Sequence, residues 1–360
     1  MNKRRSWTKI LFLGLVLPGS MAIAGWQGWA WWSWASAPIT TSTESSDNEI
    51  QIQIAQGTAG QQIGRDLEAI GLIRSAFAWR IWSRWQSFLN PNGGFQAGTY
   101  VLSPSEPLDA IATAIWEGSV LQESFTIPEG WSREQMATYF EQEGYFSADR
   151  FLAATESNPR ERYPWLPDNL PHLEGFLYPD TYQVPSERLS PEIFVDIMLR
   201  RFEQVALPLY QEAEDTNLSL KEWVTLASIV EKESVVAEER SLIAGVFTQR
   251  LERNMPLGAD PTVEYGLGIT QTPENPLTYA QVETPSPYNT YLNSGLPPTP
   301  IASPGLASLE ASLNPEATEY LYFVARYDGT HVFSRTLAEH EAAQAEIRKS
   351  IDTESDATSN

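Results

Sequence analysis

The sequence predicts an α+β protein with one N-terminal transmembrane helix, a small module and a larger mixed α/β domain. Three observations carry that expectation. Behind Lys3, Arg4, Arg5 and Lys9, no charged residue occurs from Ile10 to Thr43. From residue 49 a strand pattern, two helical patterns and a second strand pattern follow one another. From about residue 123, short strands and helices alternate with long proline-rich irregular segments around one helical stretch from Ser219 to about Arg253.

The elements follow in order. The apolar part of the uncharged run, residues 10–30, is long enough to cross a hydrocarbon core of about 30 Å. The basic flank, residues 1–9, should stay cytoplasmic. Trp26, Trp29, Trp31, Trp32 and Trp34 cluster where the chain would leave the bilayer, as an aromatic belt does. A cleaved signal peptide is the competing reading, because Ala22-Ile-Ala24 resembles a cleavage site. Both readings export everything after residue 40. Residues 31–48 read as a linker, flexible from Pro38 to Asn48.

Residues 49–118 read as the small module. Glu49-Ile-Gln-Ile-Gln-Ile-Ala55 alternates as a strand does. A helix pattern runs from about Gln61 to Ile70 and stops at Gly71. A second, from about Arg74 to Leu89, carries Trp79, Trp82 and Trp85 with Arg74, Arg80 and Arg84. It fits either an interfacial helix lying on a membrane or a core helix with snorkelling arginines. A strand over residues 95–102 and a helix from about Leu108 to Glu117 complete the module.

Residues 119–346 read as the larger domain. Ser132-Arg-Glu-Gln135 and Ser219-Leu-Lys-Glu222 are capping boxes that open helices. Residues 159–185 and 254–305 are rich in loops and proline, and long irregular segments inside a domain are usually functional. Asp328-Gly329 between two apolar runs signals a hairpin. A final helix reads from Leu337 to about Ile351, and the tail, residues 347–360, reads as disordered.

Composition narrows the function. A net charge of −22 argues against a nucleic-acid partner, because phosphate contacts need a basic surface. With no cysteine there is no disulfide, thiolate metal site or cysteine nucleophile. The three histidines lack metal spacing, and neither a nucleophile-elbow motif nor a phosphate-cradling glycine loop occurs. The sequence thus calls for no metal or cofactor, and leaves carboxylates and aromatic residues as the chemistry.

One carboxylate stands out. At about 100° per residue, Leu226, Val230, Glu233 and Ala237 fall on one stripe of the 219–253 helix, with Glu231 well away from it. A carboxyl facing a core is costly when charged, so its pKa rises toward the range useful to a general acid. The same placement fits a structural pair with Arg240. Carboxylates and aromatics together suit a carbohydrate site. Candidate sugar contacts in the irregular segments are Glu174, Tyr178, Asp180, Tyr182, Asp260, Thr262, Tyr265, Tyr288, Asn289 and Tyr291.

Several of these stretches occur together in one known family. Leu173-Glu-Gly-Phe-Leu-Tyr-Pro-Asp-Thr-Tyr182, Ala227-Ser-Ile-Val-Glu-Lys-Glu-Ser234 and Asp260-Pro-Thr-Val-Glu-Tyr-Gly266 resemble the YceG-like endolytic murein transglycosylases. So do Thr284-Pro-Ser-Pro-Tyr-Asn-Thr-Tyr291, Gly295-Leu-Pro-Pro298, Pro300-Ile-Ala-Ser-Pro-Gly305 and Leu321-Tyr-Phe-Val324 with His331-Val-Phe333. The resemblance implies a lyase that cuts between N-acetylmuramic acid and N-acetylglucosamine inside a peptidoglycan strand, leaving a 1,6-anhydro end. It implies that Glu233 is the catalytic residue and that the small module is LysM-like. It also implies a single-pass protein of the plasma membrane, facing the wall and ending nascent strands near the synthases that make them. Two rivals stay open. A muramidase-type hydrolase would draw a second carboxylate from Asp180, Asp260 or Glu174. A wall-binding scaffold would need no catalytic residue.

Overall fold

A computed structural model describes residues 17–40, 49–213, 216–272, 275–326 and 328–358. The chain divides into two compact units, one of residues 1–123 with 183–188 and one of residues 124–182 with 189–360. Both are mixed α and β.

The first unit opens with α1 (Leu17–Ser36), followed by β1 (Ile50–Ile54), α2 (Gly60–Ala69), α3 (Ala76–Leu89), β2 (Gly98–Leu102) and α4 (Leu108–Glu117). Strands β1 and β2 pair antiparallel, with Ile50 opposite Leu102 and Ile54 opposite Gly98. Two helices between two paired strands need a tight junction, and Trp79 makes it. Its indole is fully buried, stacks on Phe95 at 4.8 Å and donates to the Gly60 carbonyl at 2.8 Å. Gly64 is what lets the indole lie across α2, since a Cβ there would sit 2.4 Å from the ring. Helix α2 ends as its sequence suggests, with Gly71 in the left-handed region at φ 77°. Ser75 starts α3 by accepting the Ala78 amide at 3.3 Å.

Two expectations for this unit change. Residues 31–40 are not a linker. Helix α1 runs on to Ser36, Ala35 is fully buried in the core, and Trp31 and Trp32 pack against it. Arg74 then holds the exit, donating from Nε and Nη2 to the Pro38 carbonyl at 3.0 and 2.6 Å. Polar composition after Pro38 hides this, because the holding groups are backbone carbonyls. The proposed span falls partly outside the described residues, at 10–16. Among the described residues no helix is long and apolar enough to cross a membrane. Helix α1 is uncharged but carries five tryptophans along with glycines and serines, which keep its hydropathy modest.

Strands β3 (Gln122–Thr126) and β4 (Thr181–Pro185) form a two-stranded sheet, and the chain passes between the units in both. The second unit holds α5 (Arg133–Gln142), α6 (Ala148–Thr155), α7 (Pro191–Glu212), α8 (Leu220–Glu233), α9 (Arg240–Glu252), α10 (Asp260–Leu267), α11 (Tyr279–Val282), α12 (Leu306–Leu313), β5 (Tyr322–Ala325), β6 (His331–Ser334) and α13 (Leu337–Thr358). An aromatic cluster packs β3, α5, α6 and α7 together, with Phe125 stacked on Phe194 at 4.2 Å and Phe140 edge-on to Phe151 at 4.9 Å.

Helix α8 is the pillar of this unit. Its capping box forms: Ser219 accepts the Glu222 amide while Glu222 accepts the Ser219 amide. Every residue from Trp223 to Val230 is buried, so neighbours surround the helix on all sides. Trp223 donates to the Leu309 carbonyl of α12 at 3.0 Å, and Ser228 accepts the Ile301 amide at 3.1 Å. The helical stretch read from Ser219 to about Arg253 is in fact broken. Helix α8 stops at Glu233, a 3₁₀ turn spans Ala237–Glu239, and α9 starts at Arg240. Glu233 is therefore the last residue of its helix, and Ala237 no longer shares its face. The β5–β6 hairpin forms around Asp328, whose Oδ1 accepts the Thr330 amide at 3.0 Å, and Gly329 at φ 85°. Helix α13 continues to Thr358, into the stretch expected to be disordered, and no glycine or proline interrupts residues 337–358.

Candidate active site

Glu233 ends α8 at a point where three segments of the second unit meet. Helix α8 brings the carboxyl to the edge of the apolar cluster of Leu226, Ile229, Val230, Ile243 and Leu257. Helix α10 supplies Asp260 and Glu264, one turn apart and hence on one face. Helix α9 supplies Arg250. Glu233 itself is half-buried, and its carboxyl has no hydrogen bond among the described residues. Burial, with the nearby Asp260 and Glu264 carboxylates, pushes its pKa up to about 8, while Arg250 opposes the rise. Glu233 is therefore a protonated carboxyl at neutral pH, free to give its proton to a ligand.

The surrounding groups are held firmly. Tyr291 donates to Asp260 Oδ1 at 2.6 Å, and burial followed by the Asp260 charge keeps that phenol far above its usual range. Arg250 donates from Nε to the Leu321 carbonyl at 2.5 Å and from Nη1 to the Leu257 carbonyl, and lies 5.1 Å from the centre of the Tyr322 ring. Burial lowers its pKa. Spent on carbonyls, Arg250 does not clamp Glu233 as a salt-bridge partner would. The structural pair with Arg240 does not form either, since the Arg240 charge falls on Glu129.

A cleft of about 490 Å³ in this unit has walls that include Lys232, Glu264, Tyr265, Tyr288, His172 and Arg133; Lys232 precedes Glu233 on α8, and the Glu264 charge acts on Glu233. His172 is held near pKa 4, by burial first and by Arg133 second, so it is a neutral imidazole there. A hollow of about 520 Å³ opens between α6 and α7, away from these residues. Its Arg162 is already paired with Asp196 at 2.6 Å.

The predicted sugar-contacting residues divide sharply. Asp260, Tyr265, Tyr288 and Tyr291 stand around Glu233 or line the cleft, with the Tyr265 and Tyr288 rings 4.8 Å apart. Glu174, Thr262 and Asn289 present no surface to a ligand. The Glu174 carboxylate accepts the Arg133 amide at 3.1 Å and the Tyr265 hydroxyl at 3.0 Å. Burial, then the Glu134 charge, pushes its pKa up to about 8 as well. Two carboxyls are thus raised alike, and only Glu233 has an open side. Thr262 donates to the Ala259 carbonyl at 2.6 Å, and Asn289 donates to the Val282 and Thr284 carbonyls at 2.8 and 2.9 Å. All three build walls. Tyr178 and Tyr182 are nearly buried, with the Tyr182 hydroxyl on the Tyr178 carbonyl at 2.5 Å, and Asp180 is tied to Arg201 at 2.6 Å. Sequence reasoning passed over Arg250, Glu264 and His172. Glu264 was legible as the residue one helical turn after Asp260; nothing local distinguishes Arg250 or His172.

The YceG-like family pattern matches residues 52–346, and the chain belongs to that family. An endolytic murein transglycosylase of Bacillus subtilis is 32% identical over 314 residues, covering 84% of this chain and 85% of the relative. One from Streptococcus pneumoniae is 30% identical over 364 residues; the match takes in 94% of this chain but only 64% of that protein's length. The crystal structure of a YceG-like protein from Listeria monocytogenes superposes with a TM-score of 0.57 at 32% identity, covering 83% of this chain and 100% of the other.

Proposed function

We propose that this chain is an endolytic peptidoglycan lytic transglycosylase, with Glu233 as its single acid and base. The observation that carries the reading is a carboxyl raised to about 8, open on one side and gripped by no partner. Glu233 gives its proton to the oxygen leaving the N-acetylmuramic acid anomeric carbon. It then takes the proton of the same sugar's 6-hydroxyl as that oxygen closes on the anomeric carbon, forming the 1,6-anhydro ring. One carboxyl suffices because the nucleophile belongs to the substrate, which supplies the proximity that a positioned water would otherwise need. Asp260 and Glu264 serve twice. Their charge keeps Glu233 protonated before reaction, and it opposes the positive charge that builds on the sugar during it.

A hydrolase with Asp260 as second carboxylate is the alternative, favoured by the position of Asp260 beside Glu233. Glu174 is sealed and Asp180 is engaged by Arg201, which leaves Asp260 as the sole candidate of the three. Digestion of purified glycan strands followed by mass spectrometry separates the readings. Anhydro ends, abolished by Glu233→Gln with unchanged melting, are expected. Reducing ends would establish the hydrolase, and unimpaired function in cells of Glu233→Gln would establish the scaffold.

The β-α-α-β order of the first unit supports a LysM-like role in holding the glycan. The uncharged run over residues 10–30 behind a basic flank supports a plasma-membrane anchor with everything after residue 40 outside the cytoplasm. On this reading the enzyme ends nascent strands beside the synthases that extend them. Protease accessibility on intact cells tests the orientation; digestion from the cytoplasmic side alone would refute it.

A further inference from the structure

Helix α3 bears out the core-helix reading of its sequence, and its exposed surface bears on the other reading. One face, with Ala78 and Trp79, is fully buried in the core of the first unit. The flank beside that face is not polar. Phe77, Ile81, Trp85 and Phe88 follow at steps of four, four and three, an arc of about 80° on the helix. They are 51%, 39%, 62% and 75% exposed, and Leu89 at the helix end is 58% exposed. Soluble surfaces scatter large apolar side chains singly, whereas a contiguous row marks an interaction face. Arg80 and Arg84 run along the far edge of this row, with the Arg80 guanidinium 4.8 Å from the centre of the Phe77 ring. Helix α3 has no acidic residue, in a chain of net charge −22.

We propose that this face of α3 seats in the interfacial layer of a bilayer that carries anionic lipid. Continuity within the first unit supports that occupant. The row meets α1 where the Trp31 ring lies 5.5 Å from Phe77, and α1 leads away with Met21, Ile23, Trp26 and Trp29 each at least 60% exposed. Exposed apolar side chains therefore stand on both α1 and α3, which meet at the Trp31–Phe77 contact. The core of a protein interface is depleted of charge, but an apolar row with arginines along its edge is the pattern of a helix lying in a headgroup layer. The acidic remainder is repelled by an anionic surface, so the basic edge also selects which side approaches. This placement rests on the anchoring reading only for how the chain reaches the bilayer.

The absence of native cysteine makes the test clean. Phe88→Cys, and Glu117→Cys at the exposed last residue of α4 as reference, are spin-labelled in the full chain and reconstituted into phosphatidylcholine–phosphatidylglycerol vesicles. The expected result is co-flotation with the vesicles. The label at 88 is then severalfold less open to a water-soluble nickel reagent than that at 117, and more open to oxygen. Adding Arg80→Gln with Arg84→Gln should lower the ratio of seated to free helix about thirtyfold, at roughly 1 kcal/mol per arginine near an anionic surface. In pure phosphatidylcholine, parent and variant should coincide. Co-flotation with equal nickel access at 88 and 117 overturns the proposal while leaving the anchor standing. Failure to float overturns both. Shielding at 88 that comes with dipolar coupling between labelled chains, lost on dilution with unlabelled chain, assigns the face to a second copy and overturns the lipid assignment.

Discussion

Replacing Asp260 with asparagine tests the electrostatics of the site with little change in shape, because asparagine can still accept the Tyr291 hydroxyl bond. Glu233 sits at about 8 instead of 4.5, a bias of roughly 5 kcal/mol toward the protonated form, and less once solvent at its open side is allowed for. Burial is the largest cause, and the Asp260 charge is the next. Removing one like charge at close range should lower the Glu233 pKa by about one unit. The active form is the protonated one, so wild-type turnover should hold below about pH 8 and fall tenfold per pH unit above it. In Asp260→Asn that limb should move toward acid by about one unit. The assay is release of anhydro ends from isolated strands, followed by mass spectrometry from pH 5 to 9. An unmoved limb, or one displaced toward alkali, would refute the account of what holds the proton on Glu233. A lost acid plateau would instead show that Asp260 takes part in the chemistry itself.

Four further outcomes are expected. Glu174 is also raised to about 8 from 4.5, so it favours the native state at low pH and that contribution drains away as pH climbs from about 4.5 to 8. Glu174→Gln should therefore flatten the fall in melting temperature over that window, and a parallel pair of melting curves would exclude it. Trp79→Ala should cost the first unit about 3–5 kcal/mol in urea titration, from loss of a fully buried indole and its bond to Gly60. Ser228→Ala should cost about 1–3 kcal/mol by stranding the buried Ile301 amide, measured the same way. Gly175→Ala should destabilise still more visibly, because φ is 80° and the new Cβ would lie 2.4 Å from Pro300; an unchanged melting temperature would contradict the packing described.

How much of this the sequence shows depends on which physical signal each residue carries. Capping at Ser219, the turn at Asp328-Gly329 and the alternation of β1 are local, since each rests on side chains acting on backbone within a few positions. The break after Glu233 is not local: Ser234 to Val236 contain neither glycine nor proline, and the helix stops all the same. The hold of Arg74 on residues 37–39 joins segments far apart in the chain and leaves no mark in either. The irregular segments are ambiguous for a different reason. Glu174, Thr262 and Asn289 satisfy backbone and hydroxyl partners with the same atoms they would offer a sugar, so residue type cannot separate a wall from a contact. Burial separates them, and burial is a property of the whole unit.

The seating of α1 in the first unit has a mechanical consequence. A helix whose last turn is gripped by Ala35, Trp31, Trp32 and the Arg74 bonds behaves as a keyed shaft and not as a rope. Turning the part upstream must turn the body with it. One alanine inserted between Trp29 and Trp31 would rotate everything before it by about 100° and advance it by about 1.5 Å, while leaving composition almost unchanged. Seven inserted residues, close to two full turns, would nearly restore the original heading.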